Sequence, residues 1–340
     1  MIYRSKAPLR IGLAGGGTDV SPYADMHGGA ILNATISMYA HASIELLDTN
    51  KVIFETADRN ELLEYDAVFP LSLDGNLDLL KGIANRIAKE YGDFPSGFRL
   101  TTFVDAPAGS GLGTSSTLVV AVVGAFTEWL KLPLGEYDIA HLAYSIERED
   151  LQQAGGRQDQ YAATFGGVNF MEFYKDDKVI VNPLRIKEKY LYELENNLVL
   201  FYTSTSRLSS AIISEQQRNV TDKKASSIEA MHSLKKQAVM MKEALLKGQI
   251  HEIGEILDFG FRHKKAMAEG ISNPQLDEIY ETAIKAGASG GKISGAGGGG
   301  FMIFYCPNNT RYAVVNALQQ FGGAVKRYHF THHGLCSWTI

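Results

Sequence analysis

The residues best placed to do chemistry are two carboxylates. Glu147 lies in Ser145-Ile-Glu-Arg-Glu-Asp150, and Asp159 follows twelve residues later in Gly155-Gly-Arg-Gln-Asp-Gln-Tyr161. Gly155-Gly156 ends a helix and turns the chain back, so both carboxylates can face one cleft. Such a pair suits phosphoryl transfer from ATP. One group holds Mg²⁺, and the other positions and deprotonates an acceptor hydroxyl. Each also has a plainer reading in isolation. Glu147 reads as a solvated helix residue among Arg148, Glu149 and Asp150, and Asp159 as the N-cap of a short helix over 160–164.

Three glycine-rich segments frame these groups. The first is Lys6-Ala-Pro-Leu-Arg-Ile-Gly-Leu-Ala-Gly-Gly-Gly-Thr-Asp19, with Arg10 in a strand and Asp19 after the glycine turn. The second is Pro107-Ala-Gly-Ser-Gly-Leu-Gly-Thr-Ser-Ser116, and the third is Lys292-Ile-Ser-Gly-Ala-Gly-Gly-Gly-Gly300. The second runs from a strand into a helix start, where free backbone N–H groups bind anions. Its hydroxyls, Thr114, Ser115 and Ser116, either cap the helix or hold a phosphate-bound metal ion. No Walker loop is present. The Gly-x-Gly-x-x-Gly pattern at Gly295, Gly297 and Gly300 precedes a strand rather than a helix, which argues against a dinucleotide site. That loop reads as close packing of backbone on backbone or on a ligand.

The elements that must position these groups are a mixture. Strands are expected over 9–14, 40–47, 51–55 and 98–104. Helices are expected over 77–91, 118–130 and 137–153, and a hairpin over 167–174 and 178–181. After residue 190 helices dominate, over 209–218, 225–247, 251–269 and 274–286. Strands return over 301–305, 324–329 and 334–339, around a helix at 311–321. A boundary near 185–196 divides the chain into lobes 1–190 and 191–340, packed tightly with a cleft between. The texture is α+β, since strands do not alternate regularly with helices.

Bulk properties exclude several classes. Of 340 residues, 45% are hydrophobic and 21% charged, as in ordinary globular proteins. No apolar run approaches the roughly 20 residues a membrane span needs, and the first residues have no signal-peptide core. Two cysteines without metal spacing fit a reducing cytoplasm. A net charge of −5 without a basic cluster argues against nucleic acid. The pair His332-His333 reads as exposed or internally satisfied rather than metal-binding.

Taken in order, the three motifs resemble those of the GHMP small-molecule kinases, the group of galactokinase, homoserine kinase and mevalonate kinase. The second resembles their ATP loop, Pro-x-x-x-Gly-Leu-Gly-Ser-Ser-Ala. The third resembles Lys-x-Thr-Gly-Ala-Gly-x-Gly-Gly, and the first Ala-Pro-Gly-Lys-x-x-x-x-Gly-Glu-His-Thr-Asp. The resemblance covers nearly the whole chain. It implies a two-lobed α+β fold, with an N-terminal lobe like ribosomal protein S5 domain 2 and a ferredoxin-like C-terminal lobe.

The resemblance also implies roles. Pro107, Gly109, Ser110, Gly111, Leu112, Gly113, Thr114, Ser115 and Ser116 would bind ATP. Ser115 and Glu147 would hold Mg²⁺. Asp159 would face the acceptor hydroxyl, with Arg10 where the family usually has lysine. Arginine keeps the charge but brings planar geometry. Gly16, Gly17, Thr18, Asp19 and Gly297 would lie on the acceptor side. Gly16-Gly17 replaces the Glu-His of galactokinase-like chains, which argues against galactose. The local pattern resembles the sugar-kinase branch that phosphorylates the anomeric hydroxyl of heptose 7-phosphate. A second anion site is then needed, at Arg207 with Ser206, Ser209 and Ser210, or at Lys6. The rival readings are a kinase for a free sugar, fucokinase- or galactokinase-like, and a non-catalytic sensor of the same fold. Monomer and homodimer are both compatible with the sequence.

Overall fold

Long strands rich in β-branched and alternating residues build the first half. The structure, a computed structural model, describes residues 1–204 and 209–340. Strand β1 (Ile2–Ala14) is followed by a short helix α1 (Tyr23–His27) and by β2 (Gly29–Leu47). Then come β3 (Lys51–Thr56), β4 (Glu61–Asp66), helix α2 (Asp78–Tyr91) and β5 (Gly97–Val104). Helices α3 (Thr114–Leu130), α4 (Glu136–Ser145) and α5 (Gln158–Phe165) precede the hairpin β6 (Val168–Phe173) and β7 (Val179–Pro183). The helix expected over 137–153 is α-helical only through α4. It continues as one π-turn, Ile146–Asp150, and that turn carries Glu147. Hydrophobic periodicity does not distinguish an α from a π turn, and π-turns recur at functional sites.

The main sheet has the strand order β12-β1-β2-β5-β3-β4, with β6 and β7 added along the other end of β2. Its length lets β2 serve two neighbours: Gly29–Ala34 pair with β6, and Ala40–Leu47 pair with β5. Register shifts between β1 and β2 fall on either side of Arg10 and Gly12. Bulges of this kind re-aim side chains, and here they turn Arg10 toward the cleft. Helix α3 is apolar almost all round, and Val119, Val120, Val122, Val123 and Phe126 are fully buried against the sheet. Each such side chain contributes about 1.5–3 kcal/mol of burial. The helix that starts at the glycine loop is therefore firmly anchored.

The second half contains α6 (Glu188–Asn197), β8 (Leu198–Tyr202), α7 (Ser209–Thr221), α8 (Ala225–Lys247) and α9 (Ile253–Lys265). It continues with α10 (Pro274–Lys285), β9 (Gly290–Ile293), β10 (Phe301–Tyr305), α11 (Arg311–Leu318), β11 (Ala324–Lys326) and β12 (Cys336–Thr339). Strands β11-β8-β10-β9 form an antiparallel sheet under the helices. The α+β fold expected from the sequence is present. Strands β4 and β9 and helix α6 were not anticipated from the sequence. One apolar cluster joins the two halves: Leu9, Ile11 and Leu13 of β1 pack with Met241 and Leu245 of α8 and Ile256 of α9. Strand β12 also returns to pair with β1. Among the described residues no helix is long and apolar enough to cross a membrane.

Candidate active site

A cleft of about 580 Å³ is lined by all three glycine segments, the π-turn, the start of α5 and parts of α7 and α9. The second glycine loop forms one wall. Gly109, Gly111 and Gly113 have φ of +70°, +83° and +78°, a region open chiefly to glycine. Gly113 occupies the cap position of α3, with no side chain capping that end. The hydroxyls of Thr114, Ser115 and Ser116 are thus not used as caps.

The third segment clamps this loop from the other half of the chain. Ser294 Oγ donates to the Gly111 carbonyl at 2.8 Å, and the Phe301 N–H donates to the Ser110 carbonyl at 2.9 Å. A side-chain carbon on Gly295 would stand 2.6 Å from Gly111 Cα. The loop therefore packs backbone on backbone. From the first segment, the Arg10 N–H donates to the Leu112 carbonyl at 3.1 Å.

Arg10 is 3% exposed and joins two walls. Its Nε donates to Asp159 Oδ1 at 2.6 Å, NH2 lies 2.6 Å from the same oxygen, and NH1 donates to the Gly111 carbonyl at 2.6 Å. Asp159 stands in the first turn of α5, where a carboxylate is favoured by the helix dipole. Its Oδ2 lies beside Gly113, where a Cβ would come within 3.2 Å.

A second polar pair lies at the start of α3. Ser115 Oγ donates to Glu147 Oε1 at 3.0 Å, and Glu147 is 1% exposed. Gln160 Nε2 donates to Glu147 Oε2 and, at 3.1 Å, to Ser116 Oγ. Arg148 NH1 stands 3.8 Å from Glu147 Oε1. A hydroxyl and a carboxylate are hard oxygen donors, and Mg²⁺ takes one or two protein oxygens with phosphates and waters rather than a full protein cage. The pair fits such an ion. Among the described residues no group of three His, Cys, Asp or Glu side chains forms a metal cluster.

Asp19 forms the far wall. Gln158 donates to it from its backbone N–H at 3.1 Å and from Nε2 at 3.3 Å. Burial pushes the Asp19 carboxyl above the usual range, and the charge of Asp159 adds to that effect. Lys264 of α9 reaches in from the other side and donates to the Gly295 carbonyl. Lys292 is buried behind the cleft, and its Nζ donates to the Gly12 carbonyl at 2.6 Å.

The structure thus gathers Arg10, Gly17, Asp19, Gly109, Gly111, Gly113, Thr114, Ser115, Ser116, Glu147 and Asp159 around one space. Other expected residues do not line it. Thr18 is buried, and its hydroxyl donates to the Gly15 and Ala30 carbonyls, which ties the turn together. Leu112 and Ser110 are buried and meet the rest of the site through their carbonyls. Pro107 opens the loop and is exposed, and Gly16 lies beside Lys264. Gly297 packs on Ile271. Lys6 lies over the Tyr39 ring at 4.8 Å, away from the cleft. Ser206 and Arg207 lie outside the described residues, as does the Ser209 side chain, while Ser210 lines the cleft. Sequence reasoning missed Gln158, Gln160 and Lys264. The two glutamines flank Asp159 in Gln-Asp-Gln, the signal that could have found them.

Residues 78–167 match the GHMP kinases N terminal domain, and residues 241–324 match the GHMP kinases C terminal domain. The chain belongs to the GHMP kinase family. It is 50% identical to the D-glycero-alpha-D-manno-heptose 7-phosphate kinase of Campylobacter jejuni subsp. jejuni serotype O:2 over 337 residues, 99% of each chain. The crystal structure of a D-glycero-D-manno-heptose 1-phosphate kinase from Bacteroides thetaiotaomicron superposes with a TM-score of 0.85 at 45% identity, covering 99% of both chains. A more distant relative is the L-fucokinase/L-fucose-1-P guanylyltransferase of Bacteroides fragilis, 28% identical over 87% of this chain and 34% of that protein.

Proposed function

We propose that this chain is an ATP- and Mg²⁺-dependent kinase that phosphorylates the anomeric hydroxyl of D-glycero-D-manno-heptose 7-phosphate to the 1,7-bisphosphate. The observation that carries the reading is the Arg10–Asp159 ion pair at 2.6 Å, held between the glycine loop and the Asp19 turn. The 50% identity to a heptose 7-phosphate kinase supports the choice of sugar. Residues 1–190 then form the ATP-binding lobe and 191–340 the second lobe, and the reaction takes place in the cytoplasm.

Backbone N–H groups of residues 109–116 and the start of α3 receive the triphosphate. Magnesium, when bound, would be held by Ser115 and Glu147 and would neutralise charge on the phosphates. Asp159 accepts a hydrogen bond from the anomeric hydroxyl and takes its proton as transfer proceeds. The sugar oxygen bonds to the γ-phosphorus, the bond from γ-phosphorus to the bridging oxygen breaks, and ADP leaves. Little covalent work falls to the protein in such a loose transition state, so positioning dominates. Arg10 supplies that positioning by fixing Asp159 Oδ1. Asp19, braced by Gln158, accepts hydrogen bonds from sugar hydroxyls.

An assay of ADP release tests the reading over heptose 7-phosphate and free heptose, fucose, mannose and galactose. Heptose 7-phosphate is expected to give the highest kcat/KM. A preference for any unphosphorylated sugar would replace the reading by a free-sugar kinase. No ADP release with any of them, alongside tight sugar binding, would favour a sensor.

Gly156 makes a second expectation concrete. A Cβ there would collide with the Asp19 carboxylate. Gly156→Ala is expected to raise the acceptor KM at least about ten-fold, equal to about 1.4 kcal/mol, with the ATP KM unchanged. Steady-state kinetics varying each substrate in turn reads both constants.

A further inference from the structure

Lys264 has no part in the chemistry above, yet it lines the same cleft. It sits in the last turn of α9 and is 4% exposed. Asp19, Ser210, Ser214 and Gln216 line the same cleft. A Cβ on Gly16 would stand 3.7 Å from Lys264 Nζ, which places the ammonium beside the first glycine loop, at the Asp19 end.

A buried ammonium without a counter-charge is costly. Among the described residues no carboxylate lies within ion-pair distance of Lys264, whose hydrogen bond goes to the neutral Gly295 carbonyl. Other cleft cations are engaged: Arg10 with Asp159, and Arg148 beside Glu147. Asp19, the carboxylate on the Lys264 side, is satisfied by two amide donors from Gln158. The acceptor end therefore holds a carboxylate and an ammonium that do not pair with each other. A sugar phosphate uses both, with hydroxyls on the carboxylate and an anionic group on the ammonium. Lysine has three donors, and Gly295 takes one and orients the rest. Burial, with the Arg10 charge, pushes the ammonium down to about 8. It stays mostly protonated at pH 7.

We propose that Lys264 binds the phosphate that the acceptor already carries and thereby selects phosphorylated over free heptose. The proposal rests on the heptose 7-phosphate reading. It makes Lys264 a specificity-determining residue outside the transferring group. The contact is a charge-assisted N–H···O bond, of a strength that changes affinity about 10- to 150-fold.

The test compares wild type with Lys264→Met on heptose 7-phosphate and on unphosphorylated heptose. The variant is expected to raise KM for the phosphorylated sugar at least about 30-fold. It should change kcat/KM for free heptose less than about three-fold, so the preference collapses. Equal losses on both acceptors would overturn the proposal and place Lys264 at the sugar ring or the transferred phosphoryl group. Should Lys264→Met fold poorly, Lys264→Gln keeps a donor for Gly295 without the charge and gives the same comparison. In the wild type, KM for the phosphorylated sugar should rise above pH about 8, as Lys264 loses its proton. The charged groups facing it are Arg10, Asp19 and Lys292. An identical rise with free heptose would also count against the proposal. A wild type that ignores heptose 7-phosphate would sink the heptose reading itself, and that result is read from the wild-type arm alone.

Discussion

Asp159→Asn is expected to lower kcat at least about 1,000-fold, about 4 kcal/mol of barrier, and to leave ATP affinity within about two-fold. Asparagine keeps the size of the side chain and an oxygen for Arg10. It cannot take a proton from the acceptor hydroxyl, and it removes the negative charge that opposes the guanidinium. In the proposed reading the triphosphate meets the backbone of the glycine loop and Ser115, and Asp159→Asn removes none of those groups, so nucleotide binding is expected to be spared. One structural cost must be separated from the chemical one. Arg10 is 3% exposed, and taking away the partner of a buried charge destabilises by about 3–5 kcal/mol in the severe case. Here the loss is smaller, because Arg10 keeps its bond to the Gly111 carbonyl and asparagine still accepts a hydrogen bond. Thermal melting of the variant checks that the fold survives, and calorimetric titration with a non-hydrolysable ATP analogue checks nucleotide affinity. Turnover at the wild-type level would remove Asp159 from the mechanism.

Glu147→Gln carries the second-largest expected effect. It should lower kcat/KM about 100- to 1,000-fold at millimolar Mg²⁺, a loss of about 3–4 kcal/mol, and raise the Mg²⁺ concentration needed for half-maximal rate. Glu147 is buried, its two oxygens accept from Ser115 and Gln160, and Arg148 stands 3.8 Å from Oε1. A carboxylate in that position, next to a serine in the first turn of α3, is suited to a hard divalent ion. Glutamine preserves the packing and keeps one oxygen but loses the charge. A titration of rate against Mg²⁺ reads the effect. An unchanged Mg²⁺ dependence would make Glu147 a structural group that only braces Ser115 and Gln160.

Much of this site was legible because its groups lie in local patterns. The strand-to-helix glycine loop, the two carboxylates around Gly155-Gly156 and the three motifs in order are all sequence signals. What was not legible depends on tertiary direction. Thr18 adjoins Asp19, but Gly17 has φ of +105°, and the turn points the threonine inward to Gly15 and Ala30 while Asp19 faces the cleft. Lys264 stands in the basic run Arg262-His-Lys-Lys265, which reads as a solvated helix end. Only the packing of α9 on β9 and β1 sets Lys264 inside while Arg262 pairs with Asp258 at the surface. The π-turn under Glu147 follows the same rule, because the extra residue per turn leaves no mark on the hydrophobic pattern. For the fold, α8 and β10 match their expected bounds because Gly248 ends α8 in the left-handed region and β10 is an unbroken apolar run, whereas the short β9 is defined only by its neighbour β10.

The most direct measurement is ³¹P NMR of the wild-type reaction with ATP, Mg²⁺ and D-glycero-D-manno-heptose 7-phosphate. One new phosphate resonance coupled to the anomeric proton is expected, with the original 7-phosphate resonance retained and one ADP formed for each product. A new phosphate on any other hydroxyl, or no new sugar phosphate while a free hexose or deoxysugar is phosphorylated under the same conditions, would contradict the proposed function.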